Sequence, residues 1–305
     1  MIKTLTYRIH DVVPYINWIY FFHAWSFPPR FASVSQIHAC TACRIGWISS
    51  FSQSEQERAK EALRLYNDAE QMLTSLDADY FTRARFGIFN AYSDGDDLVF
   101  TNPDRVDASS LRLPLLRQQN ATKPCLCLSD FVRPFSANNP DKAGIFAAAA
   151  DSAIEHLYEK AGFADDYKHL LAQTLADRLA EAAAEKMHEE VRKKYWGYAP
   201  DEQLSFDDLF LEKFVGIRPA VGYPSLPDQS INFELDSFLD FSAVGIQLTE
   251  NGAMRPHAAV SGLLLAHPEA HHFAIGKIGE DQLKSYAERR NMNIETMRKF
   301  LAANL

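Results

Sequence analysis

Arg218 carries the clearest chemistry in this 305-residue chain, inside the run GIRPAVGYPSLPD from Gly216 to Asp228. A guanidinium is always charged and presents a planar fork of donors suited to a carboxylate or phosphate. Around it Pro219, Pro224 and Pro227 fix φ and remove backbone donors, so the run is neither helix interior nor central strand. It reads as an extended, stiff loop. Gly222 permits a turn or a close backbone approach, and Tyr223 adds a ring face and a hydroxyl. A rigid connection and a ligand-binding loop fit this composition equally well.

A second chemical cluster is His38-Ala39-Cys40-Thr41-Ala42-Cys43. A histidine ahead of CxxC suits zinc or a redox dithiol. A closed zinc site needs four ligands, and only Cys125 and Cys127 could complete a thiolate set. The spacing departs from a double CxxC, so packed or incidental thiols are expected and no metal is assigned. No Ser/His/Asp set stands out.

The elements that must position these residues follow from periodicity. The aromatic segment Tyr15–Trp25 must be buried, in a core or around a flat ligand. Ser54–Leu76 carries a helical stripe, with Ser54 and Glu57 as a capping box. Arg85–Tyr92 and Asp97–Phe100 flank the turn Ser93-Asp94-Gly95-Asp96 and predict a hairpin. Short strands are expected at Cys125–Leu128 and Gly144–Ala149. The strongest helix runs from about Asp165 to Tyr195, with acids at its start and Arg192-Lys193-Lys194 at its end to suit the helix dipole. On it Glu181 shares a face with Asp177, a placement that an ordinary solvated acidic face explains equally well. Ser205–Asp208 can cap a shorter helix. A helix near Phe233–Phe241, strands at Val260–Leu265 and His272–Ile278, and helices at Gly279–Arg290 and Ile294–Ala302 complete the chain. Intermixed strands and helices without βαβ regularity predict a single α+β domain over 1–305, its twisted, mainly antiparallel sheet flanked by long helices.

The formal net charge of -9 argues against a nucleic-acid partner. No apolar run is long enough to span a bilayer, and charged residues and Pro14 interrupt the N-terminus, so it is not a secretory signal. The expected location is the cytoplasm.

Longer motifs point further. ADRLAEAAAEKMHEEVRKKYWGYAPDE (Ala176–Glu202), GIRPAVGYPSLPD, LTENGAMRP (Leu248–Pro256), VSGLLLAHPEA (Val260–Ala270) and AIGKIGEDQLKSYAERRNM (Ala274–Met292) follow one another. YINWIYFFHAWSF, GIFNAYSDGDDLVF and CLSDFVRP precede them. Together they resemble the activation domain of cobalamin-dependent methionine synthase over nearly the whole chain, with Ser33–Ser50 as a family-atypical, insertion-like stretch. The resemblance implies a module that binds S-adenosylmethionine and presents it to cob(II)alamin while a flavodoxin-like or other one-electron donor reduces the cobalt. Positioning, rather than acid–base chemistry, is then the protein's part. No homocysteine-, folate- or cobalamin-binding module accompanies it in this sequence. The expectation is therefore a stand-alone subunit acting on a cobalamin-binding methyltransferase chain in methionine biosynthesis.

By the same resemblance Arg218 holds the ligand's carboxylate, and the Ala220–Tyr223 backbone, Gly222 included, lies against the adenosine. The helix carrying Glu181 approaches ligand and corrinoid, and His267-Pro268 forms a structural turn. Two positions depart from the family pattern. Asn17 stands where an aspartate meets the ligand's ammonium, and His272-Phe273 stands where the family has a tyrosine pair. These changes predict a pocket that is kept but retuned towards weaker binding. The alternative is a docking or scaffold module for a corrinoid protein in which the S-adenosylmethionine site is retuned or lost.

Overall fold

The segment DKAGIFAAAA, residues Asp141–Ala150, explains the architecture. A strand of such small side chains lets helices approach closely on both faces, and every residue from Ala143 to Ala150 is buried. Phe146, Ala148 and Ala150 face one core cluster, while Ala143, Ile145, Ala147 and Ala149 face another. This period of two is that of a strand buried on both sides.

We describe residues 1–101, 110–119, 124–137, 139–159 and 165–305 of a computed structural model. In chain order the elements are β1 (Ile2–Arg8), α1 (Ile9–Val12), α2 (Trp18–Ala24), α3 (Thr41–Ser49), α4 (Gln56–Leu76), β2 (Phe81–Asp94), β3 (Asp97–Thr101), β4 (Ser110–Pro114) and β5 (Asp141–Ala150). Then come α5 (Asp166–Glu190), α6 (Phe206–Phe210), α7 (Ile231–Leu239), β6 (Gln247–Leu248), β7 (Met254–Arg255), β8 (Ala259–Leu264), α8 (Glu280–Arg289) and α9 (Ile294–Phe300).

The main sheet runs β4-β3-β2-β5-β8, with β1 beside β2, and every pairing is antiparallel. The 14-residue β2 is long enough to take β1 along Phe81–Gly87 and β3 along Asn90–Asp94. The Ala-rich side of α5 covers one face of the sheet, and α7 with the turn after it covers the other. An α+β domain with a mainly antiparallel sheet and long flanking helices is therefore what the chain forms. Among the described residues, no helix is long and apolar enough to cross a membrane.

Most predicted elements are present, with informative exceptions. The first turn of α4 does not use the predicted capping box. Glu55 is the N-cap residue, Ser52 Oγ donates to Glu55 Oε2 at 2.7 Å, and Glu57 instead accepts from Lys60. Cys125–Leu128 forms only an isolated bridge, Arg117 to Cys127, before a 3-10 turn at Leu128–Phe131. His272–Ile278 is irregular, its backbone held where Ile275 N–H donates to the Pro224 carbonyl at 2.9 Å. In both places apolar side chains pack on the core without a neighbouring strand to complete a ladder. The strand β1, conversely, is absent from the predicted set: it is mostly exposed, and its register with β2 rather than its composition defines it. The predicted long helix continues past Glu190 as one π turn, Val191–Tyr195.

Candidate functional site

The stiff loop lies along the exposed edge of β8. Ile217 N–H donates to the Leu265 carbonyl at 2.8 Å, Leu263 N–H to the Pro219 carbonyl at 3.0 Å, and Val221 N–H to the Ser261 carbonyl at 2.9 Å. An edge is where a proline, lacking a donor, is tolerated. The approach is so close that a Cβ on Gly262 would stand 2.1 Å from the Pro219 carbonyl oxygen, so only glycine fits there. At the turn of the loop Gly222 has φ +87° and donates to the Leu226 carbonyl at 2.8 Å. Asp228 anchors its end by accepting from Ser230 and from Tyr286 Oη at 2.8 Å.

This edge pairing aims Arg218 at α5. There Glu181 and Glu185, one turn apart, point away from the alanine face that packs on the sheet. Arg218 Nη2 donates to Glu185 Oε2 at 2.9 Å, and Nη1 lies 4.0 Å from Glu181 Oε2. The guanidinium also sits 5.4 Å from the centre of the Phe146 ring. Burial opposes its charge, but Glu185 and Glu181 outweigh that cost and raise its pKa. Tyr223 Oη donates to Glu181 Oε1 at 2.7 Å, and burial together with Glu181 holds this phenol protonated. Arg218 Nε and Glu185 Oε1 are buried with no hydrogen-bond partner among the described residues. Each is a buried polar atom whose usual hydrogen bond is not made by the described residues of the protein.

Two further walls close the site. The N-terminal wall carries Tyr15, whose Oη donates to Glu189 Oε2 at 2.5 Å, and Asn17, whose Oδ1 caps α2 by accepting from Ile19 N–H at 3.1 Å. The third wall combines Leu209–Phe214 with His272 and Phe273. Arg192, fully buried, donates from Nε and Nη2 to Glu202 at 2.9 and 2.7 Å and lies 4.1 Å from the centre of the Phe214 ring. Phe214 also meets the buried His188 edge-on. His272 Nε2 is 3.8 Å from Glu212 Oε1. Burial lowers the His272 pKa in spite of that carboxylate, so the ring is neutral near neutral pH. Ser225 Oγ donates to the Phe273 carbonyl at 2.7 Å and ties this wall to the loop.

The walls enclose a cavity of about 530 Å³ lined by Asn17, Glu181, Arg218, Ala220, Tyr223, His272 and Phe273 among others. Gly222 shapes the loop without lining the cavity. Glu185, Tyr15 and Phe214 also line it and were not singled out from the sequence. Glu185 had a usable signal in its four-residue spacing from Glu181 on a helix. Tyr15 and Phe214 had none beyond being aromatic. A second cavity of about 570 Å³ lies between α4 and the N-terminal segment. Its chief polar pair is self-sufficient, since His10 and Asp77 bond each other through backbone and ring nitrogens. Volume alone does not separate the two cavities; the unspent hydrogen-bonding capacity of Arg218 and Glu185 does.

The thiols do not assemble into a four-cysteine set. His38, Cys40 and Cys43 place donor atoms within 4.8 Å of one another, a group that includes neither Cys125 nor Cys127. His267 Nδ1 accepts from Glu269 N–H at 3.2 Å and its ring lies near Phe131, as a structural turn requires.

Residues 8–291 match the family model described as "Vitamin B12 dependent methionine synthase, activation domain". The chain is also similar to the crystal structure of the MetH reactivation domain bound to AdoHcy. That likeness has 34% sequence identity and a TM-score of 0.85, and it covers 100% of this chain and 90% of the other. The match runs through the strand edge, the long helix and the aromatic N-terminal segment that together build the cavity. The chain belongs to the activation-domain family of vitamin B12-dependent methionine synthase.

Proposed function

We propose that this protein binds S-adenosylmethionine in the cavity beneath the Gly216–Asp228 loop and presents it to the cobalt of a corrinoid carried by a partner methyltransferase chain. The observation that carries the reading is Arg218, a largely buried cation on a strand-edge loop that lines a cavity together with Glu181 and Glu185 and bonds only one of them directly. The volume, about 530 Å³, falls in the range of small-ligand sites. An amino-acid carboxylate is the natural acceptor for the guanidinium, in a contact worth roughly 1.5–3 kcal/mol. Glu181 and Glu185 supply the negative charge that the ammonium and sulfonium of the ligand require. They compensate for Asn17, which offers an amide and no countercharge. The rings of Tyr223, Phe273 and His272 offer faces for the adenine.

The reaction served is reductive methylation. One electron from a flavodoxin-like or other donor reduces cob(II)alamin, and the methyl group leaves the sulfonium for the cobalt, giving methylcobalamin and S-adenosylhomocysteine. The residues of this chain bind and orient the sulfonium and keep water from it; none is assigned as acid, base or nucleophile. The ligand named for the related reactivation domain, AdoHcy, is the other product of that transfer, which supports the assignment. A docking role with the ligand site lost is disfavoured by the cavity itself, which gathers Arg218, Glu181, Glu185 and Tyr223 around one space.

The test is reductive methylation of a cob(II)alamin-bearing methionine synthase partner with a one-electron donor, with and without this protein. The proposal expects methylcobalamin to form faster in its presence and only with S-adenosylmethionine. Equal rates in both arms would overturn it.

A further inference from the structure

The Cys40–Cys43 end of α3 lies apart from the cavity residues and has chemistry of its own. Cys40 is the N-cap residue of this nine-residue helix, and its Sγ accepts from Cys43 N–H at 3.1 Å. Cys43 Sγ lies 2.6 Å from Cys40 Sγ, and His38 Nδ1 accepts from Cys40 N–H at 3.2 Å. All three residues reach solvent, His38 exposed and both cysteines half-buried. One turn further on, Trp47 is buried, donates from Nε1 to Ser33 Oγ at 2.9 Å and packs edge-on against Phe51. The thiols therefore sit on an anchored helix end rather than on a free loop.

The arrangement distinguishes the two sulfurs. The adjoining Cys43 thiol, the His38 side chain and the Cys43 backbone N–H together lower the Cys40 thiol to about 7. The neighbouring Cys40 thiolate pushes the Cys43 thiol up. This is the asymmetry of an attacking and a resolving cysteine. Cys127 makes the contrast, a buried thiol that desolvation pushes up to about 11.

We propose that Cys40 and Cys43 form a surface thiol–disulfide exchange site whose substrate is a low-molecular-weight disulfide. The Cys40 thiolate attacks one sulfur of the disulfide RSSR, forming Cys40–S–S–R and releasing RS⁻, which takes a proton from solvent. Cys43 then loses its proton to solvent. The Cys43 thiolate attacks Cys40 Sγ and expels the second RS⁻. The protein dithiol becomes an intramolecular disulfide, RSSR becomes two RSH, and two electrons pass from protein to RSSR.

The experiment uses the full chain, purified without a histidine tag, reduced and then exposed to oxidised glutathione at pH 7.5. Mass spectrometry after alkylation reads the products, and circular dichroism checks the fold of each variant. The expected result is loss of about 2 Da mapping to the Cys40–Cys43 peptide while Cys127 stays reduced. Cys43→Ser is expected to stop at a glutathione adduct on Cys40, and Cys40→Ser to form no disulfide. On the unmodified protein, iodoacetamide should alkylate Cys40 at least about tenfold faster than Cys125. Alkylation at equal rates with no intramolecular disulfide would overturn the proposal. So would stoichiometric zinc that survives purification and blocks oxidation.

Discussion

Two arginines, Arg192 packed against Phe214 of the third wall and Arg218 in the cavity lining, meet carboxylates in different ways. Arg192 is 0% exposed and grips Glu202 through Nε and Nη2, with Phe214 stacked on its face. Arg218 makes one hydrogen bond to Glu185, stands 4.0 Å from Glu181 and leaves Nε unpartnered. The first pair is bidentate and away from the cavity lining; the second is single and lies within it. Each arginine has one buried nitrogen without a hydrogen-bond partner among the described residues; what separates them is that Glu202 takes two nitrogens of Arg192, whereas Glu185 takes one of Arg218, which lines the cavity.

The largest effect should come from breaking the closed pair. Arg192→Met leaves Glu202 buried without its partner and should cost about 3–5 kcal/mol in a denaturant titration. A loss no larger than that of Arg218→Met would break the distinction. Next is Gly262→Ala, which forces a Cβ onto the Pro219 carbonyl that now approaches it to 2.1 Å. Expelling the loop should cost about 1–3 kcal/mol and move Arg218 from its place. An unchanged denaturation midpoint would show that the edge pairing does not hold the loop.

Stability should also depend on pH through His188, which is buried with neither ring nitrogen partnered among the described residues and whose pKa burial holds well below its usual value. The folded protein keeps His188 neutral, while the unfolded chain takes up a proton below about pH 6.5. Its contribution is therefore present above that pH and declines as pH falls, at up to about 1.4 kcal/mol per pH unit. His272, lowered less by the same cause, adds to the trend. Denaturation midpoints between pH 7 and pH 5 should fall more steeply in the wild type than in His188→Leu; equal slopes would remove His188 from the account. The smallest effect expected is a gain. Asn17→Asp adds a countercharge at the cavity wall and should tighten S-adenosylmethionine binding by about fivefold, or roughly 1 kcal/mol. Calorimetry showing wild-type affinity equal to or above the variant's would mean that Glu181 and Glu185 already satisfy the cation.

The fold was legible wherever one face of an element carries its identity. The stripe of α4, the alanine face of α5 and the β2–β3 hairpin can be read from periodicity, as can the stiffness of the loop, because proline acts locally. The exposed strand β1 and the irregular segments at Cys125–Leu128 and His272–Ile278 could not be read, since what decides them is a distant partner or its absence. The site divides in the same way. Arg218 announces itself within the loop, and Glu185 echoes Glu181 along one helix. The pairing of Arg218 with Glu185 spans 33 residues and depends on the loop reaching the edge of β8. Nothing in either local sequence encodes that meeting.

The central claim is that Arg218 is the binding arginine of the cavity, and calorimetric titration of S-adenosylmethionine into the wild type and Arg218→Met tests it most directly. The account predicts one ligand per chain for the wild type and an affinity loss of at least about tenfold in the variant, the equivalent of roughly 1.5–3 kcal/mol, with circular dichroism unchanged. Equal affinities in the two proteins, or no binding to the wild type, would contradict it.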